Sequence, residues 1–168
     1  MGVYSIWLML EQDSRSSYRD LIIKLSKKLK TPSFDPHCTL YGRLDLNIDQ
    51  IRPTVIELVK TNNQFSTNVK RLKTGKTKWK SLYLALDNKE DLRYLYGACK
   101  KQFGSLRKYA FDPHLSIAYG IFDPESIHYA TKNIKIPEYL AFSAIAIVKT
   151  GENIVDWEIV FQRQFENV

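Results

Sequence analysis

The stretch Phe34-Asp35-Pro36-His37-Cys38-Thr39-Leu40-Tyr41-Gly42 returns as Phe111-Asp112-Pro113-His114-Leu115-Ser116-Ile117-Ala118-Tyr119-Gly120, so a His-x-hydroxyl motif occurs twice in this chain of 168 residues. Identity of four consecutive residues, with a hydroxyl two positions beyond each histidine, marks two equivalent halves. Spacing agrees, because Trp7 precedes His37 by 30 residues and Leu84 precedes His114 by 30. Two copies are too few for an open solenoid and predict halves packed face to face about a pseudo-two-fold axis.

The pattern predicts strand, helix, strand, helix, strand, given twice, with one strand to spare. In the first half, residues 3–10 read as a strand, and Ser16 or Ser17 caps a helix to Leu29. His37 to Tyr41 is the next strand, Asp49 caps a helix with Pro53 in its first turn, and 67–73 are extended. In the second half, Leu82 to Leu86 is a strand, and Asp87 with Glu90 forms a capping pair for a helix presenting Leu92, Leu95, Tyr96, Cys99 and Phe103. His114 to Tyr119 mirrors the first motif strand, and Asp123-Pro124 starts a short helix. Strands at 141–149 and 155–163 follow, the last with Trp157, Ile159 and Phe161 inward.

The expected fold is therefore α+β: duplicated β-α-β-α-β units, antiparallel-rich sheets flanking a central cleft, and helices outside. Its single domain spans 1–168, with lobe one over about 1–80, lobe two over about 81–168, and terminal strands crossing between them. A formal charge of +7 favours anionic partners such as nucleotides or RNA. The apolar run from Val3 to Leu10 is too short for a membrane span and lacks the basic start of a signal peptide. Cys38 and Cys99 lack metal or disulfide spacing and read as core residues of a cytoplasmic protein.

Strand alternation puts His37, Thr39 and Tyr41 on one face and Cys38 and Leu40 on the other, while His114 and Ser116 share a face opposite Leu115 and Ile117. Hydrolysis of a phosphodiester needs a base, an acid and donors for the phosphoryl oxygens. His37 and His114 can fill the first two roles, and Thr39 and Ser116 the third. No metal or other cofactor is expected, since no carboxylate cluster, Cys/His spacing or Gly-rich loop is present. Asp35 and Asp112 read first as turn residues before proline, and second as groups that orient the histidines. The segment Thr74 to Lys80, with Lys73, Lys76, Lys78, Lys80 and Trp79, is either a phosphate-holding and base-stacking loop or a solvated basic one. His128 reads as a solvated helix residue.

With His-x-Thr and His-x-Ser 77 residues apart, the chain resembles the 2H phosphoesterase superfamily, and within it the plant and yeast type of cyclic phosphodiesterase. Val3-Tyr4-Ser5-Ile6-Trp7, Thr74-Gly75, Pro113-His114-Leu115-Ser116 with Tyr119, and Lys149-Thr150 carry the likeness beyond the motifs. The resemblance implies metal-independent opening of a nucleoside 2′,3′-cyclic phosphate or ADP-ribose 1″,2″-cyclic phosphate to a phosphomonoester. It also implies that His114 activates water and His37 protonates the leaving oxygen, with Thr39 and Ser116 on the phosphate. Tyr119 comes with the resemblance as a ligand contact, although ideal alternation would turn it to the core. Tyr41, Trp79 and Lys78 complete the expected binding residues of a monomer acting on a small nucleotide cyclic phosphate. A 2′,5′-phosphodiesterase or ligase-like enzyme of short RNA ends is the second reading, and a nucleotide- or RNA-binding module without catalysis the third.

Overall fold

Seven strands and four helices alternate along residues 2–166, which the computed structural model describes. The first half runs β1 (Gly2–Leu10), α1 (Gln12–Leu29), β2 (His37–Leu46), α2 (Ile48–Thr61) and β3 (Phe65–Thr77). The second runs β4 (Lys80–Leu86), α3 (Glu90–Phe103), β5 (His114–Ala118), α4 (Pro124–Thr131) and β6 (Tyr139–Lys149), and β7 (Glu158–Gln164) follows a single 3₁₀ turn at Ile154–Asp156. The α+β order and the spare last strand match the sequence expectation.

All pairings are antiparallel, and the strands lie in the order β2-β1-β6-β3-β4-β5, with β7 added to β6. Exchanging β1 with β4, β2 with β5 and β3 with β6 reverses that order onto itself, which is the signature of a two-fold axis between β6 and β3. The strands do not divide at residue 80. β3 leaves its own half to pair with β4, and β6 leaves its half to pair with β1. The helices cross over too, since α1 packs on β5 and α3 on β2.

Periodicity explains these contacts. Tyr18, Ile22 and Leu25 of α1 recur at helical spacing and are fully buried, as are Leu92, Leu95 and Cys99 of α3. They meet the core faces of the sheets, where Leu72, Leu84 and Leu115 lie abreast on neighbouring strands. Cys38 and Cys99 are both completely buried.

Element starts differ from expectation for local reasons. α1 begins a turn early because Glu11 is tied to β6 by its N–H, which donates to Ala141 O at 2.8 Å, and its carboxylate accepts from Asp13 N at 3.1 Å. Ser16 and Ser17 therefore lie inside the helix. Asn47, in a capping box with Gln50, starts α2 in place of Asp49, which puts Pro53 two residues deeper than the first-turn position assumed for it. Asp87 does not cap α3, since Lys89 precedes that helix and the Asp87 carboxylate pairs with Lys70 at 3.3 Å. Ile159 is exposed, not inward. A register shift between Ile147 and Val148 pairs it with Val148 and leaves Phe161 opposite Ile147.

Candidate active site

His37 opens β2 and His114 opens β5, each after an Asp-Pro pair. His37 Nδ1 donates to Asp35 O at 2.7 Å, and His114 Nδ1 donates to Asp112 O at 2.6 Å. A carbonyl can only accept, so both rings carry the proton on Nδ1 when neutral, and Nε2 holds the free lone pair. The main chain of the Asp-Pro turn thus orients each ring. The carboxylates are engaged by cations: Asp35 accepts from Arg15 at 3.3 and 2.5 Å, and Asp112 pairs with Lys80.

Both imidazoles line one cavity of about 450 Å³, together with Thr39, Trp7, Trp79, Trp157 and Tyr119. All three tryptophans of the chain are among them. His37 is only 3% exposed and lies flat on Trp7, with centroids 3.4 Å apart and planes 6° from parallel. Burial pushes its pKa down to about 4, against an opposing pull from the Asp35 carbonyl. His114 is less enclosed and meets the Tyr83 ring edge-on at 5.3 Å. Its pKa is also lowered, first by burial and further by the Lys80 ammonium.

Two bulges decide which side chains reach the cavity. On β2, Thr39 pairs with Trp7 while Tyr41 pairs with Ile6, so Leu40 is an extra residue and the alternation flips beyond it. Tyr41, expected beside His37 and Thr39, is therefore turned into the core. It is completely buried, rests on Tyr109 and Phe103, and donates its hydroxyl to Arg107 O. On β5, Ser116 pairs with Tyr83 while Ala118 pairs with Leu82, making Ile117 the extra residue. Tyr119 thereby turns toward the cavity, against ideal alternation. Counted from the histidines, Tyr119 corresponds to Gly42, which also lines the cavity.

The remaining expected residues divide. Trp79 lines the cavity, 5.9 Å from Trp157 and 24° from parallel to it. Lys78 does not line it. The side chain folds back over Trp79, with Nζ 4.7 Å from the ring centroid, and donates to Glu152 O at 3.4 Å. Ser116 is 3% exposed and does not line the cavity, but it acts on the Tyr119 phenol, lowering a pKa that burial pushes up to about 12. Among the described residues, no three His, Cys, Asp or Glu side chains gather as a metal site, and no helix is long and apolar enough to cross a membrane.

Sequence reasoning missed Trp7, Trp157 and Arg43. Trp7 had a signal, since strand alternation sets it with Ser5 on the face opposite Ile6 and Leu8; its pairing with Thr39 needed the structure. Arg43 had none: it is a non-glycine residue at φ 58°, its N–H donates to Ser5 Oγ at 3.1 Å, and its side chain lines the cavity. That left-handed backbone, unfavourable by about 1 kcal/mol for such a residue, follows the bulge.

Comparison with known proteins adds independent findings. The family model described as the 2′-5′ RNA ligase superfamily matches residues 26–153. A cyclic phosphodiesterase of Arabidopsis thaliana is 24% identical over 117 residues, covering 70% of this chain and 65% of that protein, just under two thirds of its length. Among solved structures, TT0787 of Thermus thermophilus superposes with a TM-score of 0.69 at 10% identity, covering 98% of both chains. E. coli LigT complexed with 3′-AMP gives 0.66 at 11% identity, covering 99% of both. These two likenesses speak to the fold.

Proposed function

Because the chain belongs to the 2′-5′ RNA ligase superfamily, the 2H phosphoesterases, we propose that it is a cyclic phosphodiesterase that opens a nucleoside 2′,3′-cyclic phosphate or ADP-ribose 1″,2″-cyclic phosphate to a phosphomonoester. One observation carries this reading: two imidazoles, each fixed through Nδ1 to the carbonyl two residues back, border the same cavity. The Arabidopsis relative bears the name cyclic phosphodiesterase, which agrees.

The chemistry follows from the proton positions. One Nε2 takes a proton from water as its oxygen bonds to phosphorus, and the other Nε2–H gives a proton to the ribose oxygen as the P–O bond breaks. Thr39 holds one phosphoryl oxygen, the hydroxyl pair of Ser116 and Tyr119 receives the other, and Arg43 offsets the negative charge. Since His37 is the more enclosed ring, 3% exposed and flat on Trp7, it is held neutral, and the proton shared by the pair rests on the more open His114. His114 is then the acid and His37 the base, the reverse of the roles that the resemblance implies. The aromatic wall of Trp79 and Trp157 suits a nucleobase.

The test is turnover of 2′,3′-cyclic nucleotides, ADP-ribose cyclic phosphate and 2′,5′-linked oligonucleotides with chelator present, the products identified by phosphorus NMR. His37→Ala and His114→Ala should each lower turnover about 10²- to 10⁴-fold. Full activity of either variant would refute the assignment. Faster cleavage of the 2′,5′-linked oligonucleotides would favour the second reading, a 2′,5′-phosphodiesterase.

A further inference from the structure

The two halves present matching faces to the cleft, and their differences are not dictated by the fold. Cross-strand partners share a face. Behind His37 lie Met9 and then Ala144, and behind Thr39 lie Trp7 and then Ala146. Behind His114 lie Ala85 and then Arg71, and behind Ser116 lie Tyr83 and then Lys73. Where one wall carries two alanines, with Gln164 and Gln162 of β7 beyond them, its symmetry partner carries two cations. Behind the His37 motif the first wall holds an apolar cluster of Trp7, Met9, Ala144, Ala146 and Val148 with Trp157 against it, and carries no cation at the positions of Arg71 and Lys73.

We infer that the open face of β3, β4 and β5 is a phosphate track, on which Arg71 and Lys73 hold a phosphate that the substrate carries in addition to its reacting cyclic phosphate. This rests on the cyclic phosphodiesterase reading of the site. Arg71 and Lys73 stand two strands from the His114 motif, their backbones about 10 Å away, which places them beside the reacting phosphorus and not on it. Arg71 is exposed and forms no salt bridge among the described residues, whereas Lys70 is engaged by Asp87 and Lys80 by Asp112. Asp112, an acid beside the track, already lies against Lys80, with Lys73 also acting on it. The cleft thus sorts its ligand: the flat ring system goes to the tryptophan side and the additional phosphate to the cationic side. A nucleoside cyclic phosphate with a 5′-phosphate, or an oligoribonucleotide with a cyclic end, has that chemistry.

The test compares ligands with and without the additional phosphate. Binding is read from tryptophan fluorescence with a nucleoside 2′-monophosphate and the matching 2′,5′-bisphosphate. Turnover is read with a nucleoside 2′,3′-cyclic phosphate, its 5′-phosphorylated form, and a dinucleotide ending in the cyclic phosphate. In Arg71→Glu/Lys73→Glu, the preference for the additionally phosphorylated ligand should fall about tenfold, with a shallower salt dependence. Arg71→Gln/Lys73→Gln should fall between that variant and wild type, and Lys100→Glu/Lys101→Glu on α3, with the same change in net charge, should keep the wild-type ratio. An advantage confined to the 5′-phosphorylated nucleotide, or to the dinucleotide, supports the track and identifies which phosphate it holds. An unchanged ratio in the Glu variant, or an equal fall in the α3 variant, overturns it. Wild-type protein that turns over no cyclic phosphate, yet shows a bisphosphate preference sensitive to Arg71 and Lys73, would refute the proposed reaction and leave the track standing.

Discussion

His37 lies flat on Trp7, with ring centroids 3.4 Å apart, and is otherwise closed in by Phe34 and Trp157. A ring held this way is favoured neutral, so its protonation opposes folding.

The sign of the pH dependence follows. The pKa of His37 drops from 6.5 unfolded to about 4 folded, so the unfolded chain binds more protons between those values. Stability is full above pH 6.5 and is lost as the pH falls toward 4, by about 3 kcal/mol from this group. His114 adds a loss of the same sign. Urea unfolding at pH 7 and pH 4.5 should show the drop in wild type and a smaller one in His37→Gln. Equal drops would mean that His37 titrates like a solvated histidine.

Acid and base can be told apart by leaving group. An aryl phosphodiester expels a stable phenolate and needs no acid, whereas a cyclic ribose phosphate does. His114→Ala should lose about a hundredfold less on bis(p-nitrophenyl) phosphate than on a cyclic nucleotide, and His37→Ala should lose similarly on both. The opposite pattern would restore the roles implied by family resemblance.

The aspartates before the motifs act on the histidines through main-chain carbonyls, with their carboxylates on Arg15 and Lys80. Asp112→Asn should therefore keep kcat within about threefold and change stability by no more than about 1 kcal/mol, as befits a partly exposed ion pair. A loss approaching that of His114→Ala would show that the carboxylate itself orients the ring.

Tyr41 is a core residue. Tyr41→Phe leaves the Arg107 carbonyl without its donor and should lower stability by about 1–3 kcal/mol while leaving KM unaltered. A raised KM with unaltered stability would return Tyr41 to the binding site.

Trp157 closes the cavity against Trp79, Tyr119 and His37. Stacking on an aromatic is worth about 1–3 kcal/mol per base, so Trp157→Ala should raise KM for a cyclic nucleotide about tenfold or more. An unchanged KM would place the base elsewhere.

Much of this was legible in the chain because hydrophobic period and repeat spacing are properties of sequence. The order of strands and helices, and the pairing of His37 with His114 across one cleft, both follow from them. Tyr41 and Tyr119 were not legible: a bulge reverses every side chain beyond it, and Leu40 and Ile117 look like any other strand residues. The cap of α1 was hidden for a different reason, since Glu11 is positioned by Ala141 of β6, far along the chain. Trp157 and Arg43 reach the cavity from loop and left-handed backbone, where period has no meaning. The contrast between Ala144 and Arg71 emerges only once the strands are set side by side.

The exchange of β3 and β6 between the halves bears on how such a chain could arise. Either half alone would lack the strand that shields the inner edge of its sheet, with bare N–H and C=O groups left to recruit another chain. Two separate copies could cure that by lending each other the missing strand, giving an intertwined homodimer with two identical histidine motifs. Joined in one polypeptide, the two copies need not match, and here one wall is aromatic and the other cationic.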